Sequence, residues 1–232
     1  MKKLSIVIPV FNEAKTLPLL LEKIEAVFLD DIEKEILIID DASTDGTREI
    51  LENLKDKYRI FIQEKNQGKG AAVRKGLELA SGDFLLIQDA DLEYDPNDYQ
   101  VLLEPVLRHG ADVVYGSRFL GKGPHRVLFF WHSLGNRILT LFSNMLTNIN
   151  LTDMETCYKL FKKEVIADII PKLKSTRFGF EPEITARIAK KEIVIYEVGI
   201  SYYGRTYKDG KKINWKDGLA AFWHIIRFNL FS

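Results

Sequence analysis

Three short apolar runs near the start of the chain each lead into a carboxylate, and that repetition constrains the fold more than any other feature. The run from Leu4 passes through Pro9-Val10-Phe11-Asn12 to Glu13. Ile36-Leu37-Ile38-Ile39 runs into Asp40-Asp41, and Phe84-Leu85-Leu86-Ile87 runs towards Asp89-Ala90-Asp91. Apolar residues at successive positions suit strands buried on both faces of a parallel sheet. Between the runs, Leu17, Leu20, Leu21, Ile24, Val27 and Phe28 fall on one stripe at helical spacing. Asp95-Pro96 supplies a capping acid followed by proline in the first helical position. The pattern predicts strands over residues 4–10, 35–40, 59–63, 83–88 and 112–115, and helices over 17–28, 47–57, 70–80 and 96–109. Such alternation implies an α/β fold, Rossmann-like and doubly wound, with a mainly parallel sheet, helices on both faces and ligands at the carboxyl ends of the strands.

The second half is less regular. After Gly121-Lys122-Gly123-Pro124 the sequence predicts a helix over 129–147. A short segment at 158–161 leads to helices over 164–170 and 182–190, a strand over 193–203 and a last helix over 215–230. No linker or repeat divides the chain, which reads as one domain, 1–232. A hydrophobic content of 46% is enough for a full core, and a net charge of zero gives no global attraction to nucleic acid or anionic lipid. Basic residues gather locally instead, with Arg118, Lys122, His125 and Arg126 in one loop and Arg205, Lys208, Lys211 and Lys212 in another. The single cysteine, Cys157, rules out an internal disulfide and fits a reducing compartment. Met1-Lys2-Lys3 before an apolar run imitates a short signal peptide, but Pro9, Asn12 and Glu13 interrupt it, so it reads as the first buried strand.

Asp89 and Asp91, with Glu93 two residues further on, suit a hard divalent cation that also takes oxygens from a diphosphate. Gly68-Lys69-Gly70 opens a helix after a strand, where backbone can approach an anion. A dinucleotide fingerprint is not met, because Val73 stands at its third glycine and the next strand ends in a metal-type pair. No phosphate-binding loop of the Walker type is present. A sugar nucleotidylyltransferase would need a Gly-rich basic loop after the first strand, and none is there.

Five motifs then occur in order: Pro9-x-x-Asn12-Glu13, Asp40-Asp41-x-Ser43-x-Asp45-Gly46, Asn66-x-Gly68-Lys69-Gly70, Asp89-Ala90-Asp91-Leu92 and Gly116-Ser117-Arg118. Together they resemble the family 2 glycosyltransferases with a GT-A fold, and most of all the branch similar to dolichyl-phosphate mannose synthase. The resemblance implies a nucleotide-sugar-binding half, 1–93, and an acceptor-binding half, 94–232. It implies that Pro9, Phe11, Glu13, Asp40, Asp41, Lys69 and Asp89 surround the nucleotide, and that Asp89, Asp91 and Glu93 hold Mg²⁺ or Mn²⁺. Asp91, Arg118 and Asp153 would then be the catalytic group. Arg118 and Arg205 would grip an acceptor phosphate, with Arg126, Arg137 and Lys208 as further candidates.

The reaction so implied is inverting transfer of one sugar, from a donor of GDP-mannose or UDP-glucose type, to a polyprenyl (dolichyl or undecaprenyl) phosphate. Two alternatives stand beside it. A hydroxyl acceptor on a cell-surface glycan would need a carboxylate base, for which Asp153 and Glu155 are the candidates. The chain could also bind a nucleotide sugar without turnover, beside a membrane partner. The segment Asp153-Met154-Glu155-Thr156-Cys157-Tyr158-Lys159 departs from the Ser-Gly-Phe-Arg-like pattern of the mannose synthases.

No stretch of about 18 apolar residues predicts a membrane span. The helices at 129–147 and 215–230 nevertheless carry stripes, Phe130/Trp131/Leu134/Ile138/Leu141/Phe142/Met145 and Leu219/Phe222/Trp223/Ile226/Leu230. Each suits core packing, a membrane interface or a dimer contact. The implied setting is peripheral, at the cytoplasmic face of a membrane, as a homodimer or with a separate anchoring subunit, and without nucleic acid.

Overall fold

A computed structural model describes residues 1–121, 126–127, 129–205 and 215–231, with side chains of the last helix from Gly218 onward. Seven strands form one sheet in the order β3-β2-β1-β4-β6-β5-β7. They are β1 (Lys2–Val10), β2 (Ile32–Asp40), β3 (Arg59–Ile62), β4 (Phe84–Ile87), β5 (Val113–Ser117), β6 (Lys159–Lys162) and β7 (Ile195–Gly199). The helices are α1 (Leu17–Ala26), α2 (Thr47–Glu52), α3 (Lys69–Leu79), α4 (Tyr99–Arg108), α5 (Phe130–Thr147), α6 (Lys163–Ile166), α7 (Phe180–Ala189) and α8 (Trp215–Leu230).

The continuous apolar runs do what double-sided burial requires. Leu4, Ile6, Val7 and Ile8 of β1, Leu37 to Ile39 of β2 and all of β4 are buried, and β1 pairs in parallel with β2 and β4. Gly76 lets α3 lie directly on this sheet, since a Cβ there would meet Val7 Cγ1 at 2.2 Å. Asp95 caps the turn before α4 by accepting the Asn97 N–H, with Pro96 next in line.

Four expectations change, the first being that the strand expected over 193–203 is only β7, Ile195–Gly199. The segment at 158–161 is a strand, β6, which lies antiparallel between β4 and β5 and fills the gap between them. The helix expected to reach residue 57 stops at Glu52, where the chain tightens into i→i+3 turns (Leu54 N–H to Leu51, Lys57 N–H to Leu54). The helix expected over 164–170 is only Lys163–Ile166, followed by a 3₁₀ turn at Ile170–Lys172.

Candidate active site

The carboxyl ends of β1, β2 and β4 lie side by side, and each is followed by a non-glycine residue in the left-handed region. These are Asn12 (φ 57°), Ala42 (φ 63°) and Leu92 (φ 64°). Such conformations cost about 1–3 kcal/mol each and survive where the surroundings over-determine them. Here the loops are stitched together. Asn12 N–H donates to Ser43 Oγ at 2.9 Å, Thr44 N–H to Asn12 Oδ1 at 2.7 Å, and Glu13 N–H to Thr47 Oγ1 at 3.1 Å.

The aspartate pair after β2 supports this loop cluster from beneath. Asp40 is fully buried, accepting Ser43 N–H and pairing with Arg48 Nε at 3.2 Å. Asp41 accepts the backbone N–H of Gln67 and of Gly68, each at 2.7 Å, and Gln63 Nε2 at 3.0 Å. Both carboxylates hold the loops together through these bonds. Pro9 likewise lies buried in β1, opposite Ile39. Phe11, 38% exposed, stands at the rim. Gly68 adopts φ +97°, and a Cβ there would meet Thr176 O at 2.4 Å, so the turn that starts α3 needs glycine.

That turn presents Lys69, whose Nζ lies 2.8 Å from Asp89 Oδ1 and 3.5 Å from Glu181 Oε1. Burial works against its charge, but Asp89, Cys157 and Glu181 together outweigh burial, and the lysine pKa rises well above its ordinary value. Cys157 sits beside this group, and burial pushes its thiol well up, so it is a protonated core residue. Glu181, at the start of α7, escaped the sequence reading. Its signal would have been an acid in the first turn of a helix that is otherwise buried.

Asp91 and Glu93 both meet the Arg205 guanidinium, Glu93 Oε1 lying 3.5 Å from its Nε. Arg205 Nη2 approaches Asp91 Oδ2 at 2.8 Å, and its Nη1 lies 3.8 Å from Glu13 Oε1. Glu93 turns to the loop that carries this arginine, accepting Tyr202 Oη at 2.6 Å on Oε2 and Arg205 N–H at 2.6 Å on Oε1. These two bonds tie the 202–205 loop to the turn after β4. Burial first, then the charges of Asp89 and Glu93, raise the Asp91 pKa to about 7 against the pull of Arg205. Two carboxylates one residue apart offer the hard oxygen ligands that suit a divalent cation. Among the described residues no three acidic, His or Cys side chains converge into a metal cage. Asp89 and Asp91 fit an ion whose remaining ligands come from a diphosphate.

Arg118 and Asp153 find each other. Arg118 Nε donates to Asp153 Oδ2 at 2.6 Å, Nη2 to Oδ1 at 2.7 Å, and the Arg118 backbone N–H to Oδ2 at 3.1 Å. Asn136 Nδ2 adds a further bond to Oδ1 at 3.1 Å. Asp153 is fully buried, and a carboxylate filled in this way does not suit the role of a general base. Burial opposes the Arg118 charge, yet Asp153, Tyr94 and Tyr202 together outweigh it and hold that pKa well above the ordinary value. Arg118 also lines a cleft of about 430 Å³ with Phe119, Gly121, Val127, Phe130, Ser133 and Arg137. Arg126, exposed, donates to Gly204 O at 2.8 Å. Lys208 lies outside the described residues, as do Lys122, His125, Lys211 and Lys212.

Comparisons with known proteins bear on the family and the fold. Residues 5–170 match the model of glycosyl transferase family 2. The glycosyltransferase AglJ of Haloferax volcanii is 31% identical over 96% of this chain and 70% of its own. A dolichol-phosphate mannosyltransferase of Pyrococcus furiosus is 28% identical over 91% of this chain, which spans only 60% of that relative. The crystal structure of Mycobacterium tuberculosis glucosyl-3-phosphoglycerate synthase with Mn²⁺, UDP and phosphoglyceric acid superposes with a TM-score of 0.75 at 16% identity, covering 100% of this chain and 80% of that one. The shared architecture is the GT-A fold. With residues 5–170 matched by the family model and a relative 31% identical over 96% of its length, the chain is a family 2 glycosyltransferase.

Proposed function

We propose that the chain transfers one sugar from a nucleotide sugar, of GDP-mannose or UDP-glucose type, to a polyprenyl phosphate. The observation that carries this reading is the cleft in which Arg118 and Arg137 share walls with Val127 and Phe130. Guanidinium suits a phosphate head, and the apolar wall suits the first part of a hydrocarbon tail. The cleft continues onto the exposed Val127, Phe130 and Trp131, at 89%, 68% and 77%. Among the described residues no helix is long and apolar enough to cross a membrane. The exposed apolar residues of α5 and α8 suit contact with a lipid surface. The P. furiosus relative, named a dolichol-phosphate mannosyltransferase, supports the same class of acceptor.

The chemistry follows from the charges. Asp89 and Asp91 would hold Mg²⁺ or Mn²⁺, which when bound stabilises the charge that develops on the leaving diphosphate. Lys69 adds positive charge beside Asp89, and Arg205 does so beside Asp91. A phosphate monoester has a second pKa of about 6, so it reaches the site already ionised and needs no base. Its oxygen attacks the anomeric carbon opposite the leaving group, which inverts that centre. The engagement of Asp153 by Arg118 and Asn136 favours this acceptor over a hydroxyl.

The test incubates the protein with Mn²⁺, a polyprenyl phosphate and a mixture of nucleotide sugars, and then weighs the lipid. A product heavier by one hexose, lost on adding EDTA, is expected. An unchanged lipid beside measurable donor binding would sink the phosphate-acceptor reading.

A further inference from the structure

Gln88 is the last residue before the Asp89–Asp91 turn, and it is fully buried. Both ends of its amide are in use. Oε1 accepts Tyr99 Oη at 2.7 Å and Tyr158 Oη at 2.6 Å, while Nε2 donates to the Asp89 carbonyl at 2.9 Å. Its backbone N–H donates to Val7 O at 2.9 Å, which closes the pairing with β1. A carboxamide is the side chain that offers a two-lone-pair acceptor and a donor on one plane at this length. Both tyrosines are fully buried, and burial pushes their pKa values well above the ordinary phenol value, so each keeps its proton and donates. The amide therefore has one orientation, with oxygen towards the phenols and nitrogen towards Asp89.

The two phenols come from different elements. Tyr99 opens α4, and Tyr158 precedes β6 and lies 4.8 Å, ring to ring, from Tyr94. Through Gln88 the Asp89 peptide is tied to a helix and to the antiparallel strand at once. The turn beyond it needs such support. Leu92 sits at φ 64°, and Asp91 Oδ1 accepts the Glu93 N–H at 3.1 Å. If the Asp89 peptide rotated, the strained turn would have a route to relax and the two carboxylates would separate.

We infer that Gln88, clamped by Tyr99 and Tyr158, is a positioning residue that holds the Asp89–Asp91 turn in the geometry that takes a divalent cation with a nucleoside diphosphate. The inference rests on the donor half of the function proposed above and is independent of the acceptor.

Mn²⁺ binding, followed by electron paramagnetic resonance in the presence of UDP or of GDP, tests it. Gln88→Glu keeps both phenol acceptors but turns an oxygen onto the Asp89 carbonyl. It should raise the half-saturating Mn²⁺ concentration by about ten- to a hundredfold, as loss of an outer-shell partner does elsewhere. Tyr99→Phe and Tyr158→Phe each remove one donor and should raise it by a few-fold, and the double variant should raise it more. These two variants keep the test open if Gln88→Glu does not fold. Tyr115→Phe is the control. It loses an equally buried phenol bond, to Thr185 Oγ1 at 3.0 Å, and should lower the melting temperature like the others while leaving the Mn²⁺ midpoint at the wild-type value. The inference falls if the Gln88 and tyrosine variants bind Mn²⁺ like wild type, or if Tyr115→Phe weakens Mn²⁺ as much as Tyr158→Phe. It falls too if the wild-type protein binds no Mn²⁺ with either nucleotide. Intact Mn²⁺ binding with no lipid product would instead overturn the acceptor assignment alone.

Discussion

The strand ends and the α5/α8 pair present opposite surfaces. At the ends of β1, β2 and β4 the charged groups are already partnered within the chain: Asp40 with Arg48, Lys69 with Asp89, Arg205 with Asp91. At the helices there is more apolar surface than the core can cover. α5 packs Leu139, Phe142 and Leu146 inwards, while Ile138, Leu141 and Met145 stand 45%, 61% and 72% exposed. α8 buries Ala221, Ile225 and Phe228 and leaves Leu219, Trp223 and Leu230 at 61%, 57% and 61%. A polar site can be ordered by its own hydrogen bonds before a ligand arrives. A helix that leaves apolar side chains outside the core offers a second, external surface.

The largest effect should come where the two regions meet. Arg118→Ala leaves Asp153 buried without its counter-charge. That should cost about 3–5 kcal/mol of stability and abolish transfer; chemical denaturation and a product assay check both. A variant as stable as wild type would break the view that this pair is a structural joint. Next, Ile225→Ala on the inner face of α8 should cost about 2–5 kcal/mol. Trp223→Ser on the outer face should cost no more than about 0.5 kcal/mol while weakening binding to phospholipid vesicles. If Trp223→Ser were the more destabilising, the two faces would have been assigned the wrong way round.

Glu155 gives a smaller, pH-dependent effect. Its Oε1 is buried without a hydrogen-bond partner among the described residues, and burial, with Glu181 next, pushes its pKa from 4.5 up to about 8. Below the lower value the carboxyl is neutral in both the folded and unfolded chain. Between the two values the unfolded chain releases its proton and the folded chain keeps it, so stability falls as pH rises and levels off above the higher one. The loss should amount to a few kcal/mol at most, on the order set by about 1.4 kcal/mol per pKa unit. Denaturation at a series of pH values would find this slope in the wild type and not in Glu155→Gln. The smallest effect is expected of Glu93→Gln. If Glu93 ties down the 202–205 loop and is no ligand, Mn²⁺ affinity measured by calorimetry should change by less than about threefold; a tenfold loss would restore it to the metal shell.

Much of the donor end was legible in the sequence. Strands buried on both faces leave unbroken apolar runs, and the acids that follow them had to cluster at one edge of the sheet. The antiparallel β6 was not legible. Four residues, Lys159–Lys162, carry no mark of direction, and what orients them is the gap between β4 and β5. Glu93 illustrates the same limit at the level of one side chain. Its position beside Asp91 says nothing of Tyr202 and the Arg205 backbone, more than a hundred residues away in sequence, which bond its two oxygens.

By itself, then, the sequence determined the alternation of strand and helix and the gathering of carboxylates at the ends of β1, β2 and β4. Hydrophobic period is a local property, and β-α-β connections have one favoured hand. Only the tertiary structure decided which carboxylate meets which cation, and which face of α5 and α8 turns outward. Arg118 and Asp153 are 35 positions apart and Lys69 and Asp89 are 20 apart. Coulomb and hydrogen-bond energies depend on distances of a few ångströms, and no local pattern encodes those.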